Sequence, residues 1–569
     1  NQIAGEVKNL KVDAQSLEIS GGSFRPVLIF EQGVIGIDPE SGLVRTGFIN
    51  GAPLTPGLSV ADVLNTFQLS QDEATSAVAF VPSLIYSESL QNAQGNNIEI
   101  NTNELSVLNG GQLIARSFGE ANAGNININQ ANTIDVKGAS NTPGFAEQSF
   151  EIFSQINSIT FGSGTGGDIK LGVSNLRTSD GGSISSVTNG SGMGGDVFVD
   201  SNTIDLAGSV PNVFLPSSIG AVANNEGDAG RLVINAENIF LSGGAAISTA
   251  TFASGDAGEI EIKVNDSIEV TGIDNNSQLS STITSAGGFL PAELREAFFL
   301  PPFSTGDAGN LNVSASEIKV DNAGQINVAN FGTGNGGELS INANKIMLDS
   351  GGEISASTLS GEGGNITLNS ENLQLLNQSQ ITASAGELGN GGNIDINSET
   401  IFGSGDSDIT ANAVGGNGGN IRINTSGLFF FPDSTIEASS ELGVDGQVEI
   451  NTVDDSLQQN LEPFDLNLAT NEELFANSCL VKRNKEQGSF TIFSSGAVLH
   501  KVGIDFYDSE TLTGLDDSVI YSDNTELPDI PPQSLESMIP GNKIITTDDG
   551  RILLVASPQS LSANSLICN

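Results

Sequence analysis

The chain of 569 residues has no tryptophan and a single histidine, His500. A metal site built on two or more histidines is excluded, and so is a Ser-His-Asp triad within residues 1–499. His500 reads as a structural residue. Two cysteines, Cys479 and Cys568, make neither a metal framework nor a disulfide scaffold. No run approaches the ~18 apolar residues of a membrane-spanning helix. The most apolar stretches, Leu428-Phe429-Phe430-Phe431 and Ile552-Leu553-Leu554-Val555-Ala556, are far shorter. Charged residues are 15% of the chain, against roughly 25% in an ordinary domain. Basic residues are the scarcer sign: 20 Lys and Arg face 68 Asp and Glu, a net charge of −48. Nucleic acid and anionic membrane surfaces select basic patches, so neither is an expected partner. A P-loop, a dinucleotide fingerprint and a nucleophile elbow are all missing.

What is abundant is glycine, with 69 residues, and a repeat. A turn followed by an alternating apolar triplet reads GGDIKL at 166–171, AGEIEI at 257–262, GGELSI at 336–341, GGNITL at 363–368, GGNIDI at 391–396 and GGNIRI at 418–423. The first apolar residues are Ile98, Ile126, Ile169, Val197, Leu232, Ile260, Leu311, Leu339, Ile366, Ile394, Ile421 and Val448. Most gaps are 27 or 28; the exceptions, 43, 35 and 51, mark insertions. Each repeat holds three alternating segments, as in Ile366-Thr367-Leu368, Leu373-Gln374-Leu375 and Ile381-Thr382-Ala383. Period-two alternation with frequent glycine argues for strands with one buried face. With the hydrophobic share at 37%, a core is affordable and wholesale disorder is not expected.

The expected fold is all-β: a right-handed parallel β-helix with three short strands per 27–28-residue coil, plus a small irregular or β C-terminal region. Residues 95–451 form about twelve coils, a rod of roughly 55–60 Å at ~4.8 Å per coil. Inward Ile, Leu and Val form columns, Asn forms ladders at the turns, and the Gly-Gly position is expected to need positive φ. Residues 1–94 read as an early coil with a large irregular insertion at 23–94. The chain opens Asn1-Gln2-Ile3 with neither Met nor a charged-then-apolar leader, and residues 4–22 already resemble the repeat. It reads as the later part of a longer chain. Residues 452–569 lose the period. They read as a cap over the last coil, at about 455–500, and a tail with a terminal hairpin at 541–557 turning at Asp549-Gly550.

The GGNIxI coil with Asn in its turn resembles the β-helical stalk of filamentous-haemagglutinin-like exoproteins of two-partner secretion, the large cyanobacterial type above all. Ser478-Cys479 followed by GSFTIF at 488–493, and IITTDDGRILLVAS at 544–557, resemble the C-terminal region of that type. The resemblance covers about 95–569. It implies export through an outer-membrane two-partner-secretion transporter, a cell-surface or extracellular location, and a non-enzymatic role in adhesion or surface structure. Glycans and cell surfaces are the partners it implies. The N-terminal secretion domain of the family has no match here, and SSGAVLH at 494–500 stands where the family has a Gly- and Pro-rich stretch.

Several residue sets are candidate sites. Asp228, Asp256 and Asp307 stand four residues before the first apolar residue of consecutive coils, and Glu362 lies further along the same column. Carboxylates ~5 Å apart either raise a pKa or attract a cation, so this is a candidate weak Ca²⁺ column, with solvated turn carboxylates as the plain alternative. No other cofactor is expected. Arg231 falls between Asp196 and Glu259 in the column just before the first apolar residue, a cross-coil charge ladder. Cys479 and Cys568 either pair in an oxidising exterior or remain separate thiols. The apolar insertion at 287–303, GGFLPAELREAFFLPPF, is either a lid or a recognition loop with Phe289, Phe298, Phe299 and Phe303 as binding residues. The rival to an adhesin is a polysaccharide-active β-helix enzyme. Such an enzyme needs paired carboxylates or Asp with Lys or Arg on one wall, and the basic residues of 95–451 do not recur in one register on neighbouring coils. A spacer is a third reading.

Overall fold

A computed structural model describes residues 9–30, 33–38, 41–49, 52–54, 57–70, 75–89, 94–140, 152–210, 215–288, 295, 300–386, 388–452, 543–546 and 552–555. The chain divides into two units, 1–464 and 465–569. In the first, a fifteen-stranded and a twelve-stranded parallel sheet run side by side as a parallel β-helix, each strand pairing with its equivalent one coil away. In the second, the described residues form one antiparallel pair, Lys543–Thr546 with Ile552–Val555. The expected cap at 455–500 lies outside the described residues.

The coil is built differently from the expectation of three short strands. Its first two segments are one continuous strand of about eleven residues, such as Leu339–Asp349 or Ile366–Leu376. Pairing between these two passes over a single position, Asn344 opposite Glu371, so the ladder turns the corner without ending. Small residues fill the inside of that bend: Ala343, Ser398 and Thr425 are all buried. Where the residue is Ser or Thr, its hydroxyl donates to the carbonyl two residues on, Ser398 to Thr400 at 3.0 Å and Thr425 to Gly427 at 3.0 Å. That local bond stabilises the bend from within. The third segment lies in the second sheet, as in Ser183–Thr188 or Gln380–Thr382.

One hydrophobic core runs from Ile19 to Ala438. The column Ile98, Ile126, Ile169, Val197, Leu232, Ile260 is fully buried, as is Ile156, Ile184, Ile219, Ile247, Ile283, Ile326 on the third segment. Each such side chain contributes roughly 1.5–3 kcal/mol of burial. An early coil precedes residue 95, as the repeat-like residues 4–22 led one to expect. Leu10–Asp13 and Ser16–Ser20 pair with Ile98–Asn101 and Glu104–Leu108, and Leu84–Ser89 closes that coil. Between its second and third segments the chain makes an excursion that is ordered rather than irregular. Strands Gly22–Phe30, Gly33–Ile37, Val44–Ile49, Ala52–Pro53 and Thr75–Pro82 form an antiparallel sheet. Helix Val60–Phe67, capped by Ser59 whose Oγ accepts the Asp62 N–H at 3.0 Å, sets Val63 against Ile35, Val44, Ile49 and Leu54.

The Gly-Gly of the repeat does not need positive φ, contrary to expectation; its glycines are outside the positive-φ set. Stacking is the reason for them. A Cβ on Gly392 would fall on the carbonyl oxygen of Gly364 one coil below, and one on Gly419 would fall on that of Gly392. Positive φ occurs at the corner between the long strand and the third segment, at Gly110, Gly181, Gly244 and Gly351. At this corner the insertions emerge in alternate coils, at 138–153, 208–217 and 272–281, and the 51-residue gap holds two insertions rather than one. Each folds back over the glycine of the preceding coil: Gly110 lies under Ile152, Gly181 under Val210, Gly244 under Leu279. The loops also link to each other, Ser209 Oγ meeting the Asp274 carboxylate and, at 2.9 Å, Ser277 Oγ.

Gly351 has the same backbone twist, φ 78°, with nothing closer than 3.9 Å to a prospective Cβ. Gly244, φ 86°, has the Leu279 carbonyl at 2.9 Å. Both Ala variants carry the strain of positive φ, about 1–3 kcal/mol. Gly244→Ala is expected to lower the denaturation midpoint of the full chain further than Gly351→Ala. Equal losses would show that the roofing loop yields freely.

Candidate functional site

The corners leave backbone N–H groups that must find acceptors. Asp228, Asp256 and Asp307 serve that need. Asp228 Oδ1 accepts the Asp256 N–H at 2.9 Å, Asp256 Oδ1 the Asp307 N–H at 2.8 Å, and Asp307 Oδ1 the Asn335 N–H at 2.7 Å. The column continues through Asn335, Glu362, Asn390 and Asn417 to the N–H of Val444. Asp, Asn and Glu are interchangeable acceptors in this one ladder. Among the described residues, no group of three or more His, Cys, Asp or Glu stands close enough together to hold a metal ion.

A second ladder stands just before the first core residue: Asn365 Oδ1 accepts the Asn393 N–H at 3.0 Å, and Asn393 Oδ1 accepts the Asn420 N–H at 3.1 Å. Arg231 belongs to it. Its backbone N–H and guanidinium both bond Asp196, at 2.9 and 3.0 Å, and the Asp196 bond holds the guanidinium above its ordinary pKa. A third, outer ladder passes between amide side chains, Asn369 to Asn342, Asn397 to Asn369, Asn424 to Asn397 and Asn451 to Asn424, at 2.8–3.1 Å. Asn393→Ala removes the acceptor of the Asn420 N–H and is expected to cost about 1 kcal/mol. Denaturant titration beside Asn393→Asp, which keeps the acceptor, checks it.

Where the third segment ends, the outward corner carries a column in which each N–H bonds the coil below. Phe161 bonds Ser117, Phe252 bonds Ala223, Gly288 bonds Thr251 and Phe331 bonds Gly287. Phe118 and Phe161 stack there with centroids 5.1 Å apart. At Gly288 the column has a gap, and a Cβ at that position would collide with the Phe252 ring. Phe252 and Phe331, two coils apart, flank this gap, and the apolar insertion leaves the rod from it. The result is a small cleft of about 10 Å³, lined by Phe252, Gly288, Arg295, Pro301, Pro302, Phe303, Ser304 and Phe331. Arg295 lies over the Phe303 ring at 6.0 Å and donates through Nη1 to the Pro302 carbonyl. Phe303 is 55% exposed. Of the expected binding phenylalanines, Phe303 is thus in the cleft, while Phe289, Phe298 and Phe299 lie outside the described residues. So do Cys479, Cys568 and His500.

Sequence reasoning missed Phe252, Arg295, Ser304 and Phe331 as partners. It also missed Glu353 on the outward side of the third segment. Glu353 pairs with Gln325 one coil below, whose Nε2 donates to its carboxylate at 3.1 Å. Burial pushes the Glu353 carboxyl above its ordinary value, opposed by hydrogen bonds from Ser355 and Gln325. With the folded value raised, the charged form opposes folding above that value, and the penalty disappears as pH falls to the ordinary 4.5. Glu353→Gln is therefore expected to stabilise the fold at neutral pH, with a difference that shrinks on acidification through the raised value. Melting curves of both proteins across pH 4–8 check this; a gap that widens in acid would reverse the assignment. Compared with protein-family models, curated proteins and solved structures, the chain matches none.

Proposed function

We propose that this protein is an exported, surface-associated or secreted rod of the filamentous-haemagglutinin-like kind, non-enzymatic, which holds loops for association with cell surfaces, glycans or other rods. In this reading an outer-membrane two-partner-secretion transporter exports it. The observation that supports the reading best is the continuity of the stack. A single core spans the coils, outward polar ladders run along it, and insertions project from fixed corners. Such a scaffold is stiff, and loops on a stiff repeat scaffold are well placed for recognition. The polar ladders offer amide and hydroxyl groups at ~4.8 Å intervals, a spacing suited to extended glycans or to a second rod. The strong acidity keeps separate rods apart, so their association would depend on cations.

A polysaccharide-active enzyme is the second reading, and Glu353 favours it: a half-buried carboxyl with a raised pKa meets one condition of a general acid. The full chain, mixed with neutral and acidic polysaccharides with and without Ca²⁺, separates the readings. Retention without new sugar ends is the expected result. New ends that disappear in Glu353→Gln would replace it with the enzyme, and neither retention nor new ends would leave a spacer.

A further inference from the structure

We propose that the cleft between Phe252 and Phe331 takes a single carboxylate presented by an otherwise neutral glycan, such as a chain ending in one uronic acid. The inference rests on the glycan-associating reading above and names the ligand for one place on the rod.

Arg295 carries the argument. The other basic side chains described on the coils each have an acidic partner within 4.0 Å, from Lys11 to Arg422. Arg295 has none among the described residues, in a chain of net charge −48. Its Nη1 is engaged by the Pro302 carbonyl, and its Nε is buried without a hydrogen-bond partner. A second donor lines the same cleft in the same condition: Ser304, 2% exposed, has a buried Oγ without a partner. An unsatisfied guanidinium N–H and an unsatisfied hydroxyl each carry a desolvation cost that an arriving acceptor would remove. Carboxylate oxygens suit both, because charge-assisted bonds to guanidinium are the strong ones.

The walls restrict what bears the carboxylate. Phe252, Phe303 and Phe331 are aromatic, and prolines 301 and 302 are apolar. The cleft has room only for the carboxylate head, so the apolar face of the sugar ring rests outside it on the exposed rings of Phe303 and Phe331. The rod's own field restricts it further. A polyuronate would bring many negative charges toward a strongly acidic surface, whereas one carboxylate on a neutral chain meets little repulsion beyond a Debye length of about 8 Å.

The test titrates the full chain calorimetrically with methyl glucuronide, its neutral counterpart methyl glucoside, and a polyuronate, with acetate as competitor. Methyl glucuronide is expected to bind at least tenfold more tightly than methyl glucoside, and acetate to displace it. Arg295→Met is expected to lose at least tenfold in that affinity with an unchanged melting curve. Should Arg295→Met melt early, Ser304→Ala carries the same test with a smaller loss. Equal binding of the neutral sugar, or undiminished binding by a folded Arg295→Met, would overturn the assignment. If the wild type ignores methyl glucuronide yet is retained on polysaccharide, the cleft proposal falls and the adhesin-like reading stands. If it does neither, both fall.

Discussion

The backbone hydrogen bond from one coil to the next governs this molecule. It sets a separation of ~4.8 Å between equivalent residues, and most other features are ways of tolerating or using that distance. Side chains that point inward stack on near-identical neighbours, so Ile above Ile packs where a mixed column would leave voids. At the tight turn before each core column the carbonyl below sits where a Cβ would be, and glycine is required. At corners where the strand ladder lapses, Asn and Asp side chains take over the axial bonding and keep the spacing.

The same distance explains why insertions alternate. A loop leaving the corner after the long strand needs room, and it finds that room over the coil below. Val210 occupies the space above Gly181, and Leu279 that above Gly244. A coil so roofed has no space for a loop of its own. Loops therefore recur every second coil, about 9.6 Å apart, close enough for Ser209 of one to reach Asp274 and Ser277 of the next across the coil between them.

The cleft follows from a local failure of the regular pattern. Ladders satisfy polar groups because every coil supplies the equivalent partner. Where Gly288 interrupts the outward corner and the chain leaves the rod, Arg295 and Ser304 arrive without equivalents above or below. Two unpartnered donors thus meet at the interruption, whereas those on the coils, Ser87 Oγ and Thr178 Oγ1, stand singly. Glu353 illustrates the other departure, a carboxyl placed where burial raises its pKa although one coil away Gln325 and Gln380 hold the same register position.

The repeat is legible in sequence because the coils between the two ends of the stack bury the same positions, and the end coils keep the same residue types although Leu10, Val448 and Ile450 are exposed. Period two within a segment and period 27–28 between segments follow from the pleat and from the circumference, and both leave their mark on residue type. The columns of Ile98 to Val448, the asparagine ladders and the placement of Asp228, Asp256 and Asp307 on successive coils were all readable from those periods. Several features were decided only by the folded molecule. The insertion beside the first coil was readable, but not that it is an ordered antiparallel sheet between Gly22 and Pro82. The merging of two segments into one strand depends on hydrogen bonds across a bend that alternation does not report. The Gly-Gly requirement arises from a neighbour 27 or 28 residues away rather than from local φ. Phe252, Arg295, Ser304 and Phe331 come together only because stacking brings distant turns to one corner, where no local spacing records that they meet.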